Sequence, residues 1–283
     1  MMRRLSFFTK FLLAGLLAGV VSACAALTGQ GDLQLTWIRA NVAIPHGQGI
    51  RKLQALELTE LLGAGAATDV GAGGERRRYP VVLYLHGCTG MGRMEKEFGE
   101  SLAERGYVFI APDSMARRYR PLQCDPRSQT GGKNLFVFDF RLAEISYALD
   151  QLRNEPWVDW DNLFLMGGSE GGVAAALYRG DEFRARVVFQ WTCHGAPLVR
   201  GLAEPDRTPI LTIVNQGDPW YQPDKTPNQT GDCGDFLQRR PGSSSLVLQR
   251  QGVHNVLDLP SVRRAIQIFL EQNLKSAVTN EGR

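Results

Sequence analysis

Histidine is scarce in this chain, with four in 283 residues. Chemistry that needs a neutral base near neutral pH must therefore choose among His46, His86, His194 and His254. Cysteine is almost as rare, with five, and no C-x-x-C pair occurs. That removes the usual zinc-site spacing, and no metal is expected. The chain has no internal repeat and no apolar run of the roughly 20 residues that span a bilayer. It also lacks a charge excess of one sign. Lys and Arg number 32 against 29 Asp and Glu. Arg3, Arg4 and Lys10 supply the whole difference, 32 − 3 = 29 against 29. A nucleic-acid partner is thus not expected. What is present is ordinary globular composition, 43% hydrophobic and 22% charged, sufficient for one large α/β domain with a buried core.

The first residues form a separate segment. A basic start is followed by the apolar stretch from Phe11 to Val21 and then by Ser22-Ala23-Cys24. This is the layout of a secretory signal. An aliphatic residue, two small residues and a cysteine resemble the bacterial lipobox, in which the cysteine is lipidated and becomes the new N-terminus. The expectation is a signal over 1–23, lipidation at Cys24, a tether over 24–32 and one domain over 33–283. The protein would be exported to a bacterial cell envelope, facing the periplasm or the exterior. Acyl chains, not a spanning helix, would hold it to the membrane. A plain secretory signal with an incidental Cys24 is the alternative. An exported chain meets oxidising conditions, where Cys88, Cys124, Cys193 and Cys233 can pair in three ways. Free buried thiols are the other possibility.

Leu33 to Ile44 and Leu53 to Leu62 read as strands, and the Gly/Ala-rich stretch 63–74 reads as a loop. From Tyr79 onward, continuous apolar runs alternate with helix-like segments. The runs are Val81 to Leu85, Tyr107 to Ala111, Leu163 to Met166, Val187 to Trp191, Ile210 to Val214 and Leu246 to Leu248. The helical segments are Met94 to Arg105, Phe138 to Asn154, Val173 to Tyr178 and Pro260 to Leu274. Short continuous apolar runs suit strands buried on both faces. Their alternation with helices predicts a mostly parallel sheet of about eight strands, covered by helices on both faces.

The strongest chemical signal is Gly167-Gly168-Ser169-Glu170-Gly171, a G-x-S-x-G between a buried strand and a helix. Such a turn lifts the serine above the sheet edge, and small flanking residues let strand and helix approach closely. A serine hydroxyl needs a base. His254 follows the last strand and precedes the last helix, where such a base belongs. The acid that orients it should lie between serine and histidine. Asp218, in the turn after Ile210 to Val214, fits best, with Asp232 and Asp235 as alternatives. Two backbone N–H groups should face a developing oxyanion: that of Glu170, and that of Cys88 in Leu85-His86-Gly87-Cys88-Thr89-Gly90.

In this order the motifs resemble the α/β-hydrolase superfamily, and within it the dienelactone hydrolase-like branch, over roughly residues 79–274. The resemblance implies the α/β-hydrolase fold, an acyl-transfer hydrolase and no cofactor. The fold so implied suggests the pairs Cys88–Cys124 and Cys193–Cys233. True dienelactone hydrolases carry a cysteine nucleophile where this chain has Ser169, which argues against dienelactone as substrate and points toward an esterase-like or peptidase-like activity; a small ester or related acyl substrate is the leading expectation. A serine peptidase of the same fold and a catalytically silent, membrane-anchored binding protein are the competing readings. Arg117, Arg118, Arg120 and Arg127 follow a strand end; they rim the site as anion ligands or form a solvated loop. Trp191, Trp220 and Tyr221 line an acyl pocket or simply pack. Arg141 and Glu144, three apart on a helix, read as a surface pair, and the sequon at Asn228 as chance.

Overall fold

The structure is a computed structural model that describes residues 30–46, 49–54, 58, 77–120, 122–130, 136–194, 199–203, 205, 207–221 and 232–275. The signal segment, Cys24, the stretch 63–74 and the sequon lie outside these residues.

Eight strands form one sheet in the order β2-β1-β4-β3-β5-β6-β7-β8. They are β1 (Asn41–His46), β2 (Gly49–Gln54), β3 (Tyr79–Leu85), β4 (Val108–Ala111), β5 (Val158–Gly168), β6 (Ala185–Phe189), β7 (Ile210–Asn215) and β8 (Ser244–Leu248). β1 runs antiparallel to both β2 and β4; every other neighbouring pair is parallel. The helices are α1 (Gln30–Ile38), α2 (Arg93–Ala103), α3 (Val137–Leu152), α4 (Glu170–Leu177) and α5 (Pro260–Gln272).

Alternation along each strand divides the core in two. Val81, Leu83 and Leu85 of β3 and Leu163 and Leu165 of β5 pack with Trp37, Ile145, Leu149 and Val173, from α1, α3 and α4. Val82 and Tyr84, with Phe164 and Met166, pack instead with Phe98, Leu102, Ile266 and Leu270, from α2 and α5. Burial on both faces is why these strands read as unbroken apolar runs.

Two N-terminal expectations need correction. Residues 33–38 are helical, not extended: α1 begins at Gln30, within the segment read as a tether. Leu33, Leu35 and Trp37 alternate like a strand, but Leu33, Thr36, Trp37 and Ala40 also lie at helical spacing. The second pattern matches the burial, with Thr36, Trp37 and Ala40 inside. Only β1 is a strand there. The next strand, β2, ends at Gln54, near the start of the expected one; beyond it Leu58 is described and is buried.

Cys88 pairs with Cys124 and Cys193 with Cys233. Two disulfides suggest an exported protein. Among the described residues no helix is long and apolar enough to cross a membrane.

Backbone segments approach very closely where β5 passes into α4. A Cβ on Gly171 would run into Leu85 O and His86 O, and one on Gly172 would stand 2.6 Å from Phe189 O. Glycine is required here by space. Gly171→Ala should cost about 1–3 kcal/mol by overpacking, several degrees in Tm. Thermal melts of the two proteins check this, and an unchanged Tm would contradict the close approach.

Candidate active site

Ser169 occupies the single residue between β5 and α4, with φ 54° and ψ −120°. A non-glycine residue at positive φ is strained and persists only when its surroundings hold it. Here Ser169 N–H donates to Phe189 O at 2.9 Å, and Val173 N–H donates to Ser169 O at 3.0 Å. The loop after β3 lies against it: a Cβ on Gly87 would stand 3.4 Å from Ser169 Cβ and 3.9 Å from Oγ.

His254 Nδ1 pairs with Asp218 Oδ2 at 2.7 Å. The Asp218 carboxylate is fully buried, whereas the imidazole keeps 25% of its surface. The second carboxylate oxygen of Asp218 accepts Trp220 N–H at 2.9 Å, so both oxygens are fixed. The Asp218 bond assigns the proton to Nδ1 and leaves Nε2 as the basic nitrogen. Trp220 packs against His254 with ring centroids 5.5 Å apart. Asp232 instead accepts Ser245 Oγ–H at 3.2 Å and Gly234 N–H.

A residue that the sequence did not mark holds this half of the site together. Asn215 ends β7 and is fully buried. Its amide donates to Arg250 O and Val253 O, both at 2.6 Å, and accepts Arg250 N–H at 2.8 Å. It thereby ties the strand that precedes Asp218 to the loop that carries His254. An asparagine closing the apolar run Ile210 to Val214 was the available signal. On the other side of His254, Asn255 donates to Glu95 Oε1 at 3.2 Å.

The loop between β3 and α2 is held from below. His86 is buried, and Ser114 N–H donates to its Nε2 at 3.1 Å. The proton must then sit on Nδ1, which donates to Gly87 O at 2.7 Å. The Cys88–Cys124 bridge fixes the same loop from another direction.

Several expected roles change. Arg117 is buried: it pairs with Glu144 at 2.9 Å and donates to Phe140 O at 3.2 Å, so its fork is not on the rim. Arg118, Arg120 and Arg127 are exposed. Arg141 and Glu144 are not on the surface; both side chains are fully buried and lie 3.5 Å apart. Their i, i+3 spacing faces the interior because α3 packs against α4 and α1. Trp191 is buried within the core. The Tyr221 hydroxyl is buried without a hydrogen-bond partner among the described residues, and burial, together with nearby Asp218, raises its pKa.

The sheet order and the one-residue turn from β5 into α4 define an α/β-hydrolase fold. The profile of the dienelactone hydrolase family matches residues 67–230, more than half of the chain, and the protein belongs to that family. No curated protein matches significantly. Among solved structures, the chain is similar to the esterase Pf2001 of Pyrococcus furiosus, with 17% identity, a TM-score of 0.49 and coverage of 69% of this chain and 83% of that one. It is similar also to Est1E from Butyrivibrio proteoclasticus, with 14% identity, a TM-score of 0.47 and coverage of 70% and 89%. The acylaminoacyl peptidase of Pyrococcus horikoshii shares 17% identity at a TM-score of 0.48, over 74% of this chain and 39% of that one.

Burial, and secondly Arg141, push the pKa of His86 well below the usual 6.5. The folded protein keeps this ring neutral, while the unfolded chain takes up a proton near pH 6.5. Below that pH the unfolded state binds more protons, so stability falls with acidification. Tm should drop between about pH 7 and about pH 5, and drop less in His86→Asn, whose amide can replace Nδ1 but does not titrate there. Parallel pH–Tm curves for the two proteins would contradict this.

Proposed function

We propose that the protein is a serine hydrolase that cleaves a carboxylic ester, or a closely related acyl bond, through an acyl-enzyme on Ser169. The carrying observation is the 2.7 Å Asp218–His254 pair, together with a serine held at positive φ at the end of the central strand. His254 Nε2 removes the hydroxyl proton as Ser169 Oγ bonds to the carbonyl carbon, and Asp218 stabilises the imidazolium. The N–H groups of Cys88 and Glu170 hold the oxyanion. Collapse expels the alcohol, which takes the proton from His254. Water then attacks the acyl-enzyme with His254 again as base and returns the free acid and Ser169.

Serine in place of cysteine supports simple ester chemistry over dienelactone chemistry. Family membership suggests a small-molecule substrate. Exposed Arg118 and Arg120, with Trp220 and Tyr221 beside the acid, are the candidate substrate-contacting side chains. We further propose that the chain is exported and lipidated at Cys24, a reading supported by the lipobox-like segment and by the disulfides.

Protein lacking residues 1–24 should hydrolyse short p-nitrophenyl esters, and Ser169→Ala should lower kcat by about 10⁴-fold or more. Equal turnover in the two proteins would remove Ser169 as nucleophile. Peptide amides cleaved as efficiently as esters would favour a peptidase. For the anchor, full-length protein should fractionate with membranes and Cys24→Ala should not; unchanged fractionation would count against lipidation.

A further inference from the structure

The geometry points to Arg141 as a positioning residue of the oxyanion hole, a single guanidinium that orients both backbone N–H donors at once. The inference rests on the serine-hydrolase reading above. Arg141 reaches from α3 to the two segments that carry those donors. Its Nη2 donates to Glu170 Oε1 at 2.9 Å and to His86 O at 2.9 Å, and lies 3.4 Å from Gly87 O. Its Nε reaches the same Glu170 oxygen at 3.2 Å, and Nη1 donates to Ser114 Oγ.

The effect follows from peptide geometry. In a trans peptide the C=O and N–H of one unit point in opposite directions. Gly87 O and Cys88 N–H belong to one unit. Gly87 O is drawn inward by His86 Nδ1–H at 2.7 Å, by Gly90 N–H at 3.1 Å and by Arg141. Cys88 N–H is therefore turned away from Arg141, and Ser169 abuts the preceding residue, Gly87. On the other segment, Arg141 anchors the side chain of the first residue of α4. The N–H of that residue is one that no helical carbonyl uses. A shift of either segment would misplace one donor relative to Ser169.

Stability alone gives a weaker account of this arrangement. Arg117 and Arg141 face Glu144 and Glu170, and buried ion pairs are often replaceable by apolar side chains without loss of stability. That property makes the inference testable. Arg141→Met would leave Glu170 unpaired and can fail to fold. The double variant Arg141→Met/Glu170→Met removes one charge of each sign and keeps the Arg117–Glu144 pair.

The experiment compares wild type, Arg141→Lys and the double variant on p-nitrophenyl butyrate, with Tm recorded for each. Folded variants should lose about 100-fold in kcat, the scale of one lost oxyanion donor, with KM within a few-fold. The affinity for a trifluoromethyl ketone, whose hemiketal oxygen occupies the oxyanion hole, should fall by the same factor. A folded double variant with wild-type kcat would overturn the inference, as would a fall in kcat with ketone affinity unchanged. Amide hydrogen exchange over residues 86–90 and 169–172 provides a readout independent of turnover. It should quicken there in the variants and not elsewhere; unchanged exchange would overturn the clamp. A wild type that neither turns over esters nor binds the ketone would instead overturn the ester reading, and exchange alone would then decide the clamp.

Discussion

The site depends on how closely one helix is allowed to approach one strand. β5 ends at Gly168 and α4 begins at Glu170, with Ser169 as the whole connection. That is possible because Gly167, Gly171 and Gly172 present no side chain to backbone atoms that stand where a Cβ would be. The approach imposes a positive φ on Ser169. Strain of this kind costs of order 1–3 kcal/mol and must be held by the surrounding structure. Phe189 O on the neighbouring strand and the first turn of α4 hold it. The serine is thereby left half-buried at the sheet edge, against the loop that follows β3.

Beneath that loop the molecule accepts a second cost. Arg117, Arg141, Glu144 and Glu170 are all buried, and burial raises the carboxyl pKa of Glu170 while Arg141 opposes the rise. Isolated charges in such surroundings would be strongly unfavourable, but paired and hydrogen-bonded ones are tolerated. The cluster gives directionality that apolar packing does not: each bond sets where a carbonyl, and hence the N–H on the other side of its peptide, must point. A disulfide at Cys88 and a neutral His86 restrain the same few residues. The other half of the site is built differently, by Asn215 stitching a strand end to the His254 loop.

The legibility of these features in the sequence follows their range. The turn at Ser169 is contiguous, and strands buried on both faces advertise themselves as apolar runs, so the sheet and the serine could be read directly. Asp218 and His254 required chain order as well, since neither has a local signature. Leu33 to Ile38 satisfies both a strand and a helix pattern, and only the packing of Trp37 against the core chooses between them. Arg141 and Glu144 show why spacing was insufficient for the charged cluster. It makes two side chains neighbours on a helix without saying which face of that helix is covered. Arg117 was misleading for a related reason, because its carboxylate partner lies 27 positions away.

The most direct test of the account is covalent. A fluorophosphonate should react with the folded protein at one residue, through the same activated oxygen that would attack an ester. Intact-mass analysis should show a single adduct, and peptide mapping should place it on Ser169. An unmodified protein after prolonged exposure, or an adduct mapped to a different residue, would contradict the claim that Ser169 is the nucleophile.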